Sequence, residues 1–152
     1  METKTLKIEI PNGYQIDVEK STFENIVFKK VDNVVIKWNK NFKGVEIKTD
    51  CEHFIVDTSS PSYSCSWNDA MRFYDNLQFL KLPTIKQLLI IYKYFNKINE
   101  VIEENGGFKL INTYYWSNMK LDEFNARNVH MTFGADTNFM NFNYDVRAVV
   151  TL

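Results

Sequence analysis

The spacing of apolar residues changes near the middle of the chain. In the first part it has period two: Leu6, Ile8 and Ile10 alternate with Lys7 and Glu9, and short apolar runs recur at 26–28, 34–38, 45–48 and 53–56. Alternation puts every second side chain on one face, so residues 1–58 are predicted to form an antiparallel meander. Turn chemistry sits between the runs, at Pro11-Asn12-Gly13, at 29–33 with its Asp32-Asn33 pair, and at 39–44. Residues 57–65, rich in Ser and holding Pro61, read as a loop.

From Ser66 the period becomes helical. Trp67, Ala70, Met71 and Tyr74 fall at i, i+3, i+4 and i+7, and Ser66 with Asp69 supplies a capped start. Pro83 blocks helix continuation, and Thr84 with Gln87 forms a capping box, so helices are predicted over 66–77 and 84–95. The second presents Leu88, Leu89, Ile91, Tyr92 and Phe95. Ile98, Val101 and Ile102 carry the spacing on to a stop at Asn105-Gly106-Gly107. Strand patterns return at 114–117, 125–133 and 139–152, after a turn or loop at 134–138. In the last stretch Met140, Phe142, Tyr144 and Val146 share one face and Asn141, Asn143, Asp145 and Arg147 the other. Residues 146–150 are expected to pair inside the main sheet. The order of elements gives an α+β fold, read as a single domain over 1–152 with a β-rich part to residue 60, a second part from 64, and chain ends close together.

Composition narrows the classes. The 152 residues are 45% hydrophobic and 15% aromatic, enough for a packed core. A net charge of -1 lacks the footprint of a nucleic-acid binder. The longest apolar run, 88–92, cannot span a bilayer, and residues 1–10 hold no apolar leader core, so no membrane insertion and no signal peptide are expected. Cys51 and Cys65 are too sparse for a disulfide framework or zinc site and read as two buried or partly buried thiols in a reducing compartment. His53 and His130 lie in no nucleophile or metal motif, and Glu100, Glu103 and Glu104 read as a solvated helix face. No catalytic residue, metal or cofactor is expected.

Five short segments then occur in one order: Trp67-Asn68-Asp69-Ala70, Leu82-Pro83-Thr84 with Leu88, Tyr115-Trp116-Ser117, Phe133-Gly134 and Val146-Arg147-Ala148-Val149. The succession resembles the bacterial domain named after the C-terminal domain of Legionella collagen-like protein. That family is related to the C-type-lectin-like fold and, more distantly, to the formylglycine-generating sulfatase-modifying enzymes. The resemblance covers residues 64–152. It departs from the family at Lys81, where an aromatic or Arg is usual, and at Asn118, where a second Ser is frequent. It implies a twisted antiparallel sheet with two flanking helices and long loops. It also implies a non-enzymatic ligand- or surface-binding module, adhesin- or receptor-like, cytoplasmic or phage-associated.

On that reading loops 116–124 and 135–144 contact the ligand, a glycan or a protein surface, through Trp116, Asn118, Asn138, Asn141, Asn143 and Tyr144. Asn and Tyr are adaptable recognition residues, although a genome rich in A and T would enrich the same types. Trp116 with Tyr114 and Tyr115 reads either as a sugar-stacking platform or as a strand with Tyr115 in the core. Trp67-Asn68-Asp69 matches the sequence of a lectin calcium motif but opens a helix here, and no Glu-Pro-Asn or Gln-Pro-Asp accompanies it. Cys51 and Cys65 precede the first helix, unlike the paired cysteines of the formylglycine-generating enzymes, and nothing points to copper. Two rival readings are an enzyme distantly akin to that group, which needs perturbed titratable groups in a pocket, and a structural subunit of a phage or surface assembly, which needs a large apolar patch and a stable oligomer.

Overall fold

Local chemistry sets the helix starts in this protein, and strand pairing sets almost everything else. In the computed structural model, residues 14–17, 21, 28–30 and 33–152 are described. The chain divides between Asn33 and Val34 into two compact units. In the first, β1 (Tyr14–Ile16) and β2 (Phe28–Lys30) pair antiparallel, with Gln15 opposite Lys29. The strand expected at Leu6–Ile10, the turn at Pro11-Asn12-Gly13 and Asp32 of the 29–33 turn lie outside the described residues.

The second unit opens with β3 (Val35–Asn39), β4 (Gly44–Lys48), β5 (His53–Asp57) and β6 (Tyr63–Cys65). Three helices follow: α1 (Trp67–Asp75), α2 (Ile85–Lys93) and α3 (Phe95–Glu104). The chain ends in β7 (Tyr114–Lys120), β8 (Asn125–His130), β9 (Gly134–Phe139), β10 (Tyr144–Val146) and β11 (Val149–Thr151). The fold is α+β. One sheet has four strands in the order β11-β5-β4-β3 and the other five in the order β6-β10-β7-β8-β9. Pairing is antiparallel except between β10 and β7, which run parallel with Asp145 opposite Tyr115. Because β11 pairs with β5, setting Val149 opposite Val56, residues 34–60 fold with the C-terminal end. Gly44 opens β4 because a Cβ there would lie 2.3 Å from the Val56 carbonyl oxygen.

Both helix starts form as the caps require. The Ser66 hydroxyl accepts the Asp69 N–H at 3.2 Å, and Trp67 behind it is buried. The Thr84 N–H donates to Gln87 Oε1 at 2.9 Å and the Gln87 N–H to Thr84 Oγ1 at 3.1 Å, the reciprocal bonds of a capping box. Lys81 closes α1: its ammonium donates to the carbonyls of Tyr74, Asp75 and Leu77 at 3.1, 3.4 and 2.6 Å, where the helix dipole is negative.

Four expectations are corrected. The helix expected over 84–95, with its spacing carried on to residue 102, breaks at Tyr94, whose φ of -110° and ψ of 21° are not helical, so the flanking helices number three and not two. The break lets α2 lie on β7–β9 while α3 turns onto β3 and β4. The Ser-rich stretch 57–65 holds β6, made a strand by its pairing with β10. The turn expected at 134–138 is the strand β9, and the strand expected from 139 begins with a turn at 140–143. Residues 146–150 do not form a single strand: β10 ends at Val146 inside the five-stranded sheet, and β11 starts at Val149 on the edge of the other.

Two apolar clusters fill the unit. One joins Val45, Ile47, Phe54 and Val56 to Leu88, Ile91, Ile98, Ile102, Tyr115 and Val129. The other gathers Trp67, Ala70, Tyr74, Leu82, Trp116, Ala126, Met140, Val146 and Ala148. Leu89, expected on the apolar face of α2, is exposed, whereas Gln87 is buried with Leu88 and Ile91. Both cysteines are free thiols. Cys65 is half-buried, but Cys51 lies on the surface, contrary to expectation. Among the described residues no helix is long and apolar enough to cross a membrane.

Candidate functional site

The register of β7, β8 and β9 sets Tyr114 opposite His130 and Trp116 opposite Asn128, with Asp136 beyond. The pleat turns Tyr115 and Val129 to the cluster under α2, leaving Tyr114, Trp116, Asn128 and His130 on the other face. Rings touch in succession across that face. Phe133 stacks on His130 at 4.6 Å, His130 meets Tyr114 at 4.6 Å, and Tyr114 meets Tyr144 at 4.7 Å. The row continues from Tyr144 to Phe142 at 6.2 Å and from Phe142 to Phe139 at 5.6 Å. Its ends stand in solvent: Phe133 is 79% exposed, Phe139 54% and Phe142 44%. Burial, together with the neighbouring Tyr114 and Asp136, pushes the Tyr144 phenol above its ordinary pKa.

The Phe139 end of the row borders a cleft of about 210 Å³ lined by Asn68, Glu123, Phe124, Phe139, Met140 and Asn141. Three tethers build it. The Trp67 N–H donates to the Met140 carbonyl at 2.9 Å and the Met140 N–H to the Phe124 carbonyl at 2.8 Å, which binds the 140–143 turn to both neighbours. The Trp67 indole N–H donates to the Ser117 carbonyl at 2.8 Å and fixes the start of α1 on β7. Asp122 shapes the β7–β8 turn, accepting the N–H groups of Phe124 and Asn125 and the Asn125 amide. Those bonds hold its carboxyl below the ordinary range. These bonds tie down the floor, and Phe124 projects from it 68% exposed.

The residues singled out from the sequence separate into two groups. Asn141 lines the cleft, Asn143 is exposed in the same turn, Tyr144 lies in the row, and Asn138 is half-buried at the end of β9. Asn141 and Asn143 face solvent as turn residues and not as the outer face of a strand, which corrects the period-two reading. Trp116 and Asn118 do not join them. Trp116 is 0% exposed, its indole N–H donates to the Cys65 carbonyl at 3.0 Å, and it packs beneath Tyr144, so it is core and not a stacking platform. Asn118 lines a different cleft of about 100 Å³ with Met71, Tyr74 and Lys81. Sequence reasoning placed Glu123, Phe124, Phe139 and Phe142 within the contact loops without singling them out, and passed over Asn68. The available signal was apolar residues set among turn-forming ones at 122–125 and 139–143.

Two buried polar groups lie near this scaffold. Arg147, read from the sequence as outward-facing, is 3% exposed and donates to the carbonyls of Ser60, Asp57 and Lys109 and to the Ser62 hydroxyl at 2.6–3.3 Å. It straps the loops before β6 and β7 onto the β10–β11 crossover, and its burial lowers the guanidinium pKa. Asn128 is fully buried, and neither its amide nitrogen nor its oxygen has a hydrogen-bond partner among the described residues.

In the cleft, Glu123 is the one titratable residue of the described lining. Among the described residues no group of three or more His, Cys, Asp or Glu gathers as for a metal ion. Two exposed rings, two amides and a carboxylate around a shallow cavity suit reversible contact with an amphipathic partner. No protein-family model and no curated protein sequence matches the chain.

Proposed function

We propose that the chain is a non-enzymatic ligand-binding module of the C-type-lectin-like kind, adhesin- or receptor-like, engaging a glycan or protein surface with Phe124, Phe139, Asn141 and the adjoining Asn143. The observation that carries this reading is the ring row that ends, solvent-exposed, in a cleft bearing two amides. Exposed contiguous rings are costly to leave in water and mark interaction surfaces. Amides donate and accept together, which suits hydroxyls and peptide groups alike.

Support for the fold assignment comes from where four of the five sequence segments go, Phe133-Gly134 standing apart. Trp67, Ala70, Leu82, Trp116, Val146 and Ala148 pack in one cluster. Backbone bonds at residues flanking these segments tie them further, from the Asn118 N–H to the Pro83 carbonyl at 2.8 Å and between Lys81 and Val149 in both directions at 2.9 and 3.0 Å. A signature made of residues that hold one scaffold together is what a family with variable contact loops retains.

The test is a glycan and cell-surface binding panel run with wild type and with Asn138, Asn141 and Asn143 replaced together by Ala. Wild type is expected to bind and the triple variant to lose most binding, with stability within about 1 kcal/mol of wild type. Equal binding by both proteins would reduce these asparagines to solvated surface.

A further inference from the structure

A larger cleft, about 410 Å³, opens where the β3–β4 turn, the loop after β5 and the C-terminal end of α3 converge. It shares no described lining residue with the cleft at Phe139. One buried residue locks its three walls. The Thr58 N–H and hydroxyl both donate to the Lys43 carbonyl, at 3.3 and 2.8 Å, while the Thr58 carbonyl accepts the Phe108 N–H at 3.0 Å. Gly107 lets the helix end come this close, since a Cβ there would lie 2.7 Å from Thr58 Oγ1. Lys43 holds a φ of 47°, a left-handed conformation unfavourable for a side-chain-bearing residue, and the two bonds from Thr58 fix its carbonyl in that position.

The groups left facing the cavity are specific in kind. Trp38, half-buried, and Phe108, exposed, supply ring surface. Lys43 supplies an ammonium, and the described lining holds no carboxylate to neutralise it. The Asn105 amide nitrogen is committed to the Val101 carbonyl at 2.9 Å, which leaves its oxygen as an acceptor; Ser59 adds a hydroxyl. Among the described residues, Lys43 Nζ, Ser59 Oγ and Asn105 Oδ1 have no hydrogen-bond partner. The end of α3 adds the negative pole of a helix, which favours incoming hydroxyl donors and repels an anion, so a carboxylate is held to the Lys43 side of the cleft.

We infer that this cleft binds a small ring-bearing carboxylate whose ring carries hydroxyls, a hexuronate-type unit. The carboxylate meets the Lys43 ammonium, the apolar ring face lies on Trp38 and Phe108, and ring hydroxyls donate to Asn105 Oδ1 and exchange hydrogen bonds with Ser59. A bare carboxylate would leave the rings and the amide oxygen unused. A neutral sugar would leave the ammonium unused.

The test titrates the full chain with glucuronate, with glucose as the neutral ring and with benzoate as a ring carboxylate without hydroxyls, reading tryptophan fluorescence and the Trp38 indole N–H resonance. Glucuronate is expected to bind most tightly of the three and to weaken as salt is raised, whereas glucose binding ignores salt. Lys43→Gly removes the ammonium while suiting the left-handed backbone, so the variant folds; its glucuronate affinity falls by about fivefold, the worth of one exposed ion pair, and its glucose affinity is unchanged. Phe108→Ala weakens both sugars. The inference is overturned if glucuronate moves no Trp38 signal up to about 50 mM, a range that covers weak binding. It fails equally if Lys43→Gly binds glucuronate as wild type does, or if benzoate binds and glucuronate does not. Loss of the Asn138, Asn141 and Asn143 amides leaves these titrations unmoved, so either reading can fail without the other.

Discussion

The two sheets of the larger unit treat their outlying side chains in opposite ways. On the four-stranded sheet Glu46 sits at the middle of β4, with His53 Nε2 at 2.9 Å from one carboxylate oxygen, the Asn39 amide at 2.9 Å from the other, and the Lys37 ammonium at 3.6 Å. Each member faces a partner across the strands, so that surface is polar and already satisfied. On the five-stranded sheet the comparable cross-strand neighbours are Tyr114, His130 and Tyr144, which satisfy one another as rings, while the row beyond them runs out into water at Phe142 and Phe139. A polar cluster with its bonds made offers a ligand little. An apolar row left half in solvent beside exposed amides offers a great deal, and the recognition surface is proposed there for that reason.

The comparison breaks most visibly between the ring row and the core beneath it, because the two are expected to differ. Trp116→Ala removes a fully buried ring and leaves the Cys65 carbonyl without its donor, so chemical denaturation should show a loss of about 3–5 kcal/mol. Phe142→Ala, at the exposed end, should cost under about 1 kcal/mol while weakening ligand binding. Equal losses at the two positions would make the whole row core and withdraw the surface assigned to it.

That contrast also shows what the residues disclosed in advance. Ser66, Pro83, Thr84 and Gln87 act within one turn of themselves, so both helix starts were legible. Tyr94 is no breaker by type, and its non-helical backbone reflects the two sheets that α2 and α3 must separately cover. The tail misled for a similar reason: Met140, Phe142, Tyr144 and Val146 alternate in sequence, yet the alternation crosses a turn, and β9 begins instead at Gly134, where φ is +86°. Period two reports spacing along the chain and is blind to which residues a partner strand takes up. Trp116 carried no local mark to separate platform from core, because burial is decided by Trp67, Val146 and Tyr144 arriving from elsewhere. The asparagines of the turn were legible as polar, while the phenylalanines that give them a binding context were read as strand.

The satisfied cluster on the four-stranded sheet has its own, smaller signature in acid. Bonds from His53 and then Asn39 hold the Glu46 carboxyl below its ordinary value of 4.5. A carboxyl depressed by folding contributes stability that is fully present above the unfolded value and is lost as pH falls through the lower folded one. Wild type should therefore lose stability below about pH 4.5 with a component that Glu46→Gln lacks, and the two denaturation curves should converge as acid is added. For a surface cluster the difference should be up to about 1 kcal/mol at neutral pH. Parallel curves through the acid range would show that the cluster is not coupled to folding.

The smallest expected effect concerns metal, and it bears on how the ring-row surface would recognise anything. Calcium requires six to eight oxygens held together; Glu123 is the one carboxylate of the described cleft lining, and the other carboxylates near that surface are already engaged. Asp122 folds onto the N–H groups of its own turn, Asp69 accepts the Ser66 hydroxyl at 2.8 Å and lies 3.7 Å from Arg72, and Asp136 accepts the Thr137 N–H at 2.7 Å. Freeing Asp122 would undo a turn and freeing Asp69 would weaken a cap. Melting temperature is therefore expected to be the same in EDTA, in buffer and in millimolar calcium. Calcium at a hundredfold excess over its Kd would add about 2.7 kcal/mol, which in a chain of this size raises the melting temperature by roughly 5–10 °C, so a thermal scan resolves the question easily. A rise of that size would mean that backbone and amide oxygens of the 140–143 turn complete an ion site, and recognition at this end of the molecule would then be metal-dependent and polar, with the rings serving only to support the turn.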